Sequence, residues 1–215
     1  MYPRFIGFFG PDGVGKTTHT NKVYHYLKKK KKKVKMVWIR GPHTIAFVFS
    51  KILEKTGHTR IIVNPYGREK SVPKIGPNKT IKQLWAVTEF ISVLPLIFVK
   101  AFVPLFLGYT IVADRYVLDT IVSIAYYLED INFIKGKTSK ILLGFVPRDG
   151  LMIHLDSDYN TLMNRRGRLV EPKDFIDFQK ECYGWLSKQI PCNYLDTSFE
   201  DVDKVYSRIV KLLGD

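Results

Sequence analysis

Apolar residues fall along the chain in short runs separated by stretches with helical spacing. The runs RFIGFF (4–9), VKMVWI (34–39), YTIVAD (109–114), GLMIHLD (150–156) and CNYLD (192–196) predict five strands. Near-continuous apolarity, rather than strict alternation, marks strands covered on both faces. Helical spacing runs from Lys16 to about Lys30, from Thr44 to Lys55, and over about 199–213, with further helical stretches between the later strands. Strands alternating with helices predict an α/β fold, with a parallel sheet covered by helices on both faces. Residues 57–80 are rich in proline and glycine and predict a long loop with room for a small hairpin. No internal repeat is visible, and 215 residues suffice for one domain, 1–215, with a full core.

One segment departs from this alternation. FISVLPLIFVKAFVPLFLGYTIVA (90–113) is long enough to span a bilayer and carries only Lys100 as charge. Pro95, Pro104 and Gly108 interrupt it, and its last residues lead into the strand ending ADRY. A buried or subunit-facing helix followed by a central strand accounts for it, so no transmembrane span is expected. Contact with a membrane surface is a second reading.

The chain carries 34 basic and 20 acidic residues, a formal net charge of +14. That balance implies anionic partners, whether nucleotides, nucleic acid or a membrane surface, and leaves the fold open. Six consecutive lysines, Lys28–Lys33, hold part of the excess. They read either as the solvated end of a helix, where cations suit the dipole, or as a polyanion-binding patch. Two cysteines, Cys182 and Cys192, give neither a disulfide framework nor a metal-ligand spacing. The first residues lack a small-residue cleavage site, and a cytoplasmic location is expected.

The first strand is followed by GPDGVGKTT, which contains Gly10-x-x-x-x-Gly15-Lys16-Thr17, the pattern of a phosphate-binding loop. Its context, strand before and helix after, is the one the chemistry needs. Backbone N–H groups of residues 12–17 (Asp12, Gly13, Val14 and Gly15 among them, with Thr18 just beyond; Pro11 has none) would face phosphate oxygens at a helix N-terminus. Lys16 would neutralise the β- and γ-phosphates of ATP, and the Thr17 hydroxyl would ligate Mg²⁺. Asp114 and Arg115 follow the third apolar strand, at the sheet end where ligands of such folds bind. The carboxylate suits a metal and the guanidinium a phosphoryl group in transfer. In NRRGRLVEP, Arg165, Arg166 and Arg168 surround Gly167 and predict a basic flap over 164–173 that closes on a triphosphate and excludes water.

GPDGVGKTT, DRYVLDT, RRGR and the ending NYLDTSFEDVDKVYSRIV together resemble the thymidylate kinase family of nucleoside monophosphate kinases. The resemblance implies a three-layer P-loop kinase fold with strand order 2-3-1-4-5, small nucleotide substrates and a homodimer. It implies that Asp12 approaches the acceptor sugar, that Arg40 and Arg115 hold acceptor phosphate, and that catalytic arginine comes from the lid, since Gly13 stands where the other family type has arginine. Tyr116 is an acceptor-stacking or core aromatic. The acceptor side departs from the family. LWAVTEFISVLPLIFVK has Glu89 and no arginine, Ala125-Tyr126-Tyr127 lacks a glutamine, and Gly41-Pro42-His43 replaces the usual turn. The expectation is therefore ATP- and Mg²⁺-dependent transfer to a nucleoside monophosphate, dTMP first. A changed acceptor and a nucleotide-dependent polyanion binder are the alternatives.

Overall fold

The computed structural model describes residues 2–40 and 44–214, so the turn Gly41-Pro42-His43 lies outside the described residues. In chain order the elements are β1 (Phe5–Phe9), α1 (Lys16–Lys29), β2 (Val34–Val37), α2 (Thr44–Lys55), β3 (Thr59–Val63), β4 (Glu69–Pro73) and α3 (Lys79–Ile97). A π-helical turn (Phe98–Phe102) joins α3 to α4 (Val103–Phe106), and β5 (Thr110–Asp114) and α5 (Val117–Tyr127) follow. The chain continues through α6 (Lys137–Leu143), β6 (Leu151–Asp156), α7 (Tyr159–Arg166), α8 (Lys173–Leu186), β7 (Asn193–Asp196) and α9 (Val202–Leu212).

Five strands form one parallel sheet in the order β2-β5-β1-β6-β7. Counting only these five in chain order, the arrangement is 2-3-1-4-5, as expected. The two-residue period of β1 shows why both faces must be covered. Phe5 and Phe9 join a core built with α3, α5, α6 and α8, while Ile6 and Phe8 join one built with α1, α7 and α9. The stretch 57–80 contains an antiparallel hairpin, β3 on β4, with Thr59 opposite Pro73 and Val63 opposite Glu69. Asn64 closes its turn, its Oδ1 accepting from the N–H groups of Tyr66 and Arg68.

The apolar segment becomes a helix running from Lys79 to Phe106 through the π-helical turn, long and apolar enough to cross a membrane by composition alone. Its inner face says otherwise: Trp85, Ala86, Val93, Ile97 and Ala101 recur at helical spacing and are buried in the core beside β5 and α6. The opposite face stays apolar and exposed.

Helix α1 ends in a Schellman arrangement, Lys32 N–H donating to Leu27 O (3.1 Å) and Lys31 N–H to Lys28 O (2.9 Å). Lys31 stands where glycine is usual, at φ 55°. A side chain in this left-handed region costs ~1–2 kcal/mol, part of which glycine returns as unfolded-state entropy. Lys31→Gly is therefore expected to stabilise the protein by about 0.5–1 kcal/mol in denaturant melts. A destabilised variant would mean that the lysine side chain itself supports the helix end.

Candidate functional site

Residues 10–15 turn from β1 into the N-terminus of α1, at the carboxyl end of the sheet. Gly10 holds φ 138°, and a Cβ there would lie 1.9 Å from the Leu155 carbonyl oxygen, so no larger residue fits. At Gly13, φ 100°, a Cβ would meet the Arg166 side chain at 2.7 Å. Arg166, in the segment expected to form a flap, thus lies directly across the loop from Gly13.

The loop borders a cleft of ≈ 400 Å³ lined by Gly13, Lys16, Thr17, Arg115, Arg165 and Arg166, with Thr197 and Glu200 on the far side. Val14 presents only backbone, its side chain being buried in the core on the α1 side of the sheet. Thr18 and His19 continue the wall. Burial pulls the His19 imidazole down to about 4, with Lys22 and Arg165 adding to it, so it is neutral at pH 7.

Lys16 Nζ donates to the carbonyls of Gly10 (2.5 Å) and Pro11 (2.7 Å) and lies 3.9 Å from the Asp12 carboxylate. Burial, reinforced by the Arg115 guanidinium, pulls the lysine down to about 7, and Asp12 offsets only part of this. The group that would neutralise phosphate is therefore poised near neutrality, and an arriving polyanion would raise it.

Asp12 is the centre of a charge network. It accepts from Arg115 Nη2 (2.6 Å), Arg40 Nη2 (3.0 Å) and Gln179 Nε2 (3.3 Å), while its own N–H donates to Gln179 Oε1 (2.9 Å). Burial alone would raise its carboxyl, but Arg40, Lys16 and Arg115 outweigh it and hold Asp12 well below the usual carboxylate range. Arg115 also donates to Asp119 (3.2 Å), which accepts from the Tyr183 hydroxyl (2.9 Å) as well. Arg115 itself has φ 84°, an uncommon conformation for a non-glycine residue. It turns the guanidinium back over the phosphate loop.

Thr17 Oγ1 donates to Asp114 Oδ2 (2.6 Å), and Asp114 Oδ1 is buried with no hydrogen-bond partner among the described residues. A carboxylate oxygen left in that state is costly unless something positive meets it. A hydroxyl beside an acceptor-only carboxylate at a phosphate loop is a donor set that fits Mg²⁺.

The lid places its arginines unequally. Arg165 donates to Thr197 Oγ1 (2.9 Å) and to the Thr197 carbonyl, and Arg166 Nε donates to Leu169 O (3.1 Å). Both line the cleft. Arg168, on the short turn Gly167–Leu169, is exposed and does not line it. Its backbone carbonyl accepts from Asn64 Nδ2 (2.8 Å), which also reaches Val170 O (2.9 Å), so the hairpin turn is tied to the lid.

Tyr116 does not belong to the acceptor side. It is buried, packs on Phe5 (ring centroids 4.9 Å) and donates its hydroxyl to Phe145 O (3.2 Å). Its extended backbone at the α5 N-cap points the ring into the core, which corrects the expectation of a stacking contact. Sequence reasoning also missed Gln179, Asp119, Tyr183 and Thr197. Asp119 stands four residues after Arg115, a helical spacing that could have found it. Gln179, Tyr183 and Thr197 are brought to the site from distant helices and a strand end and stand in no such spacing. Beyond Arg40 and Gln179, a small cavity beside Val122, Tyr126, Tyr127 and Phe175 holds ≈ 30 Å³. A wider one of ≈ 470 Å³ opens between α2 and the hairpin, lined by Trp38, Arg40, Phe47, Lys51 and Tyr127.

No protein-family model and no curated sequence matches the chain. Solved structures do. Thymidylate kinase from Ehrlichia chaffeensis aligns with TM-score 0.58 at 16% identity, over 100% of both chains. Thymidylate kinase from Candida albicans aligns with TM-score 0.60 at 17% identity, over 99% of this chain and 92% of that one. At such identities the likeness is one of fold, and the chain has the thymidylate kinase fold from end to end.

Proposed function

We propose that the protein is a nucleoside monophosphate kinase that transfers the γ-phosphoryl group of ATP, with dTMP the first acceptor to test. The observation that carries this reading is the convergence of Lys16, Arg115, Arg165 and Arg166 with the loop backbone on one cleft. Phosphoryl transfer leaves a protein little covalent chemistry, so positioning and charge do the work. Backbone N–H groups of the loop and the α1 N-terminus hold the phosphates. Lys16 and the two lid arginines spread positive charge over the transferring group. Mg²⁺, held by Thr17 and Asp114, would supply charge neutralisation at the β- and γ-phosphates. Arg115 and Arg40, kept in place by Asp12 and Asp119, anchor the acceptor phosphate. The lid over 164–173 excludes water, which competes with the acceptor as nucleophile.

A second reading, transfer to a different acceptor, rests on one observation. The cavity beside Tyr126 and Phe175 has room for only about two or three waters, and those rings contact each other edge-on at 4.4 Å. Base recognition would then move into the wider cavity beside α2. ATP turnover with a panel of nucleoside monophosphates separates the two readings. Selective phosphorylation of dTMP supports the first. ATP binding without turnover of any nucleotide overturns it in favour of the second.

Arg165→Ala and Arg166→Ala are each expected to lower kcat by roughly 10²-fold, whereas Arg168→Ala leaves it within about threefold. Equal losses at all three in steady-state assays would mean that the lid closes further and brings Arg168 in. The exposed apolar faces of α2 and the first half of α3, with Phe49, Ile52, Leu84, Val87 and Ile91, fit a subunit contact, and a cytoplasmic homodimer is part of this proposal.

A further inference from the structure

The end of the sheet away from the cleft brings together two features that the kinase reading does not use. There the amino ends of β1, β2 and β5 lie side by side: Ile111 N–H donates to Arg4 O (2.8 Å) and Thr110 N–H to Lys33 O (2.7 Å). This pairing sets the lysine run beside the turn that leads from α4 into β5. The Arg4 guanidinium donates to the Leu105 carbonyl in the same place.

On that turn Phe106 is 92% exposed and Leu107 61%, and Val103 and Val99 continue the apolar surface one and two helical turns back. Around it Lys28–Lys33 and Lys35 are all exposed. Lys32 Nζ lies 5.4 Å above the Tyr2 ring and Lys30 Nζ 5.4 Å above that of Tyr26, so tyrosine rings flank the cations. Lys31 keeps its side chain at a backbone position that glycine would occupy without strain.

We propose that this end of the molecule docks on an anionic lipid bilayer, with Phe106 and Leu107 at the headgroup–acyl boundary and the lysines over the lipid phosphates. Stable attachment to a membrane surface takes two signals, such as an apolar insertion and a polybasic patch, and both stand here at one end of the sheet. Each lysine near an anionic surface contributes about fivefold to the partition. The charge argues against the other occupants. Nucleic acid would engage the lysines but leave Phe106 and Leu107 in water. A second copy seated symmetrically on the tip would press one lysine run against the other. The nucleotide cleft opens at the opposite end of the strands, so docking leaves it free.

The test is co-sedimentation of the full chain with vesicles of about 3:1 phosphatidylcholine to phosphatidylserine and with pure phosphatidylcholine, at low and high salt. Binding is expected only to the anionic vesicles and to weaken with salt. The pair Phe106→Ser with Leu107→Ser, and separately the pair Lys29→Glu with Lys32→Glu, are each expected to lower it about tenfold or more, with ATP binding unchanged as the check of folding. Phe106→Ala is the milder variant should the serine pair misfold, and is expected to weaken binding severalfold. No preference for anionic vesicles overturns the proposal. So does lysine-dependent binding that survives the Phe106 and Leu107 changes and is matched by a DNA duplex, which makes the patch a general polyanion site. A change of oligomeric state caused by those two serines without vesicles assigns the tip to a subunit contact and overturns it too.

Discussion

Lys16→Ala is expected to lower kcat by roughly 10²–10³, the loss that follows removal of one preorganised electrostatic donor. The Lys16 amine is buried at the glycine-rich loop and held by two of its carbonyls. Its depression from 10.5 to about 7 gives the prediction a second arm. ATP favours the charged lysine, so binding must take up a proton once the free group is neutral. Affinity for ATP therefore falls as pH rises above about 7, by up to about tenfold per unit. The nucleotide-free fold behaves oppositely. Between about 7 and 10.5 the unfolded chain binds the extra proton, so stability rises with pH across that window. Titration calorimetry with ATP from pH 7 to 9 on wild type and Lys16→Met reads the first effect, and denaturant melts of the nucleotide-free proteins over the same range read the second. An undiminished kcat in Lys16→Ala, or identical pH dependence of ATP affinity in the two proteins, would remove Lys16 from the phosphate site.

The second large effect is expected at Asp12. Its carboxylate is nearly inaccessible and faces Arg115 at 2.6 Å and Arg40 at 3.0 Å. Asp12→Ala leaves two guanidiniums and Lys16 without their shared countercharge, and breaking such a buried pair costs about 3–5 kcal/mol. Arg40 keeps 22% of its side chain in solvent and can rehydrate, which sets the expectation at the lower end, about 3 kcal/mol. For a chain of this size that corresponds to a drop of about 6–12 °C in Tm. Since Asp12 is held well below its ordinary value, its contribution is fully present above the unfolded carboxylate range and is lost as pH falls through the folded value. The difference in Tm between wild type and Asp12→Asn should hold down to about pH 4 and shrink below it. A Tm within about 2 °C of wild type for Asp12→Ala would show that the arginines find other partners.

Much of this site was legible before any coordinates. The glycine-rich loop is a local device, with loop, helix start, lysine and hydroxyl supplied by adjacent residues, so its spacing alone places it between β1 and α1. Asp114 and Arg115 were legible for a related reason. An apolar strand ending in a charged pair fixes where the pair sits once the sheet is parallel. Tyr116, one residue further, was not. Whether an aromatic at a helix start faces a ligand or the core depends on a backbone angle, φ −145° here, that its neighbours in sequence do not dictate. The lid shows the same limit. Three arginines stand within four residues, but the last turn of α7 aims Arg165 and Arg166 at the cleft while the following short turn carries Arg168 outward.

Of the residues missed, Gln179, Tyr183 and Thr197 act across the fold, while Asp119 meets Arg115 from four residues away. Gln179 grips Asp12 from 167 positions away, through one hydrogen bond in each direction. Such partners carry no local signature, because what selects them is the need to satisfy a buried carboxylate and amide. The hairpin at 57–80 was only half visible. Its prolines and glycines mark a loop and leave the register of β3 on β4 open, while the reach of Asn64 to Arg168 and Val170 comes from contacts more than a hundred residues apart.

The sequence by itself determined the alternation of strand and helix, the parallel sheet and the place of the glycine-rich loop between β1 and α1, because apolar period and glycine spacing act over a few residues. Only the tertiary structure decided which charges meet at Asp12, which lid arginines face the cleft, and that a lysine run and an apolar turn share one end of the molecule. Those outcomes depend on burial and on partners brought together by the sheet, and burial, unlike spacing, belongs to the whole chain.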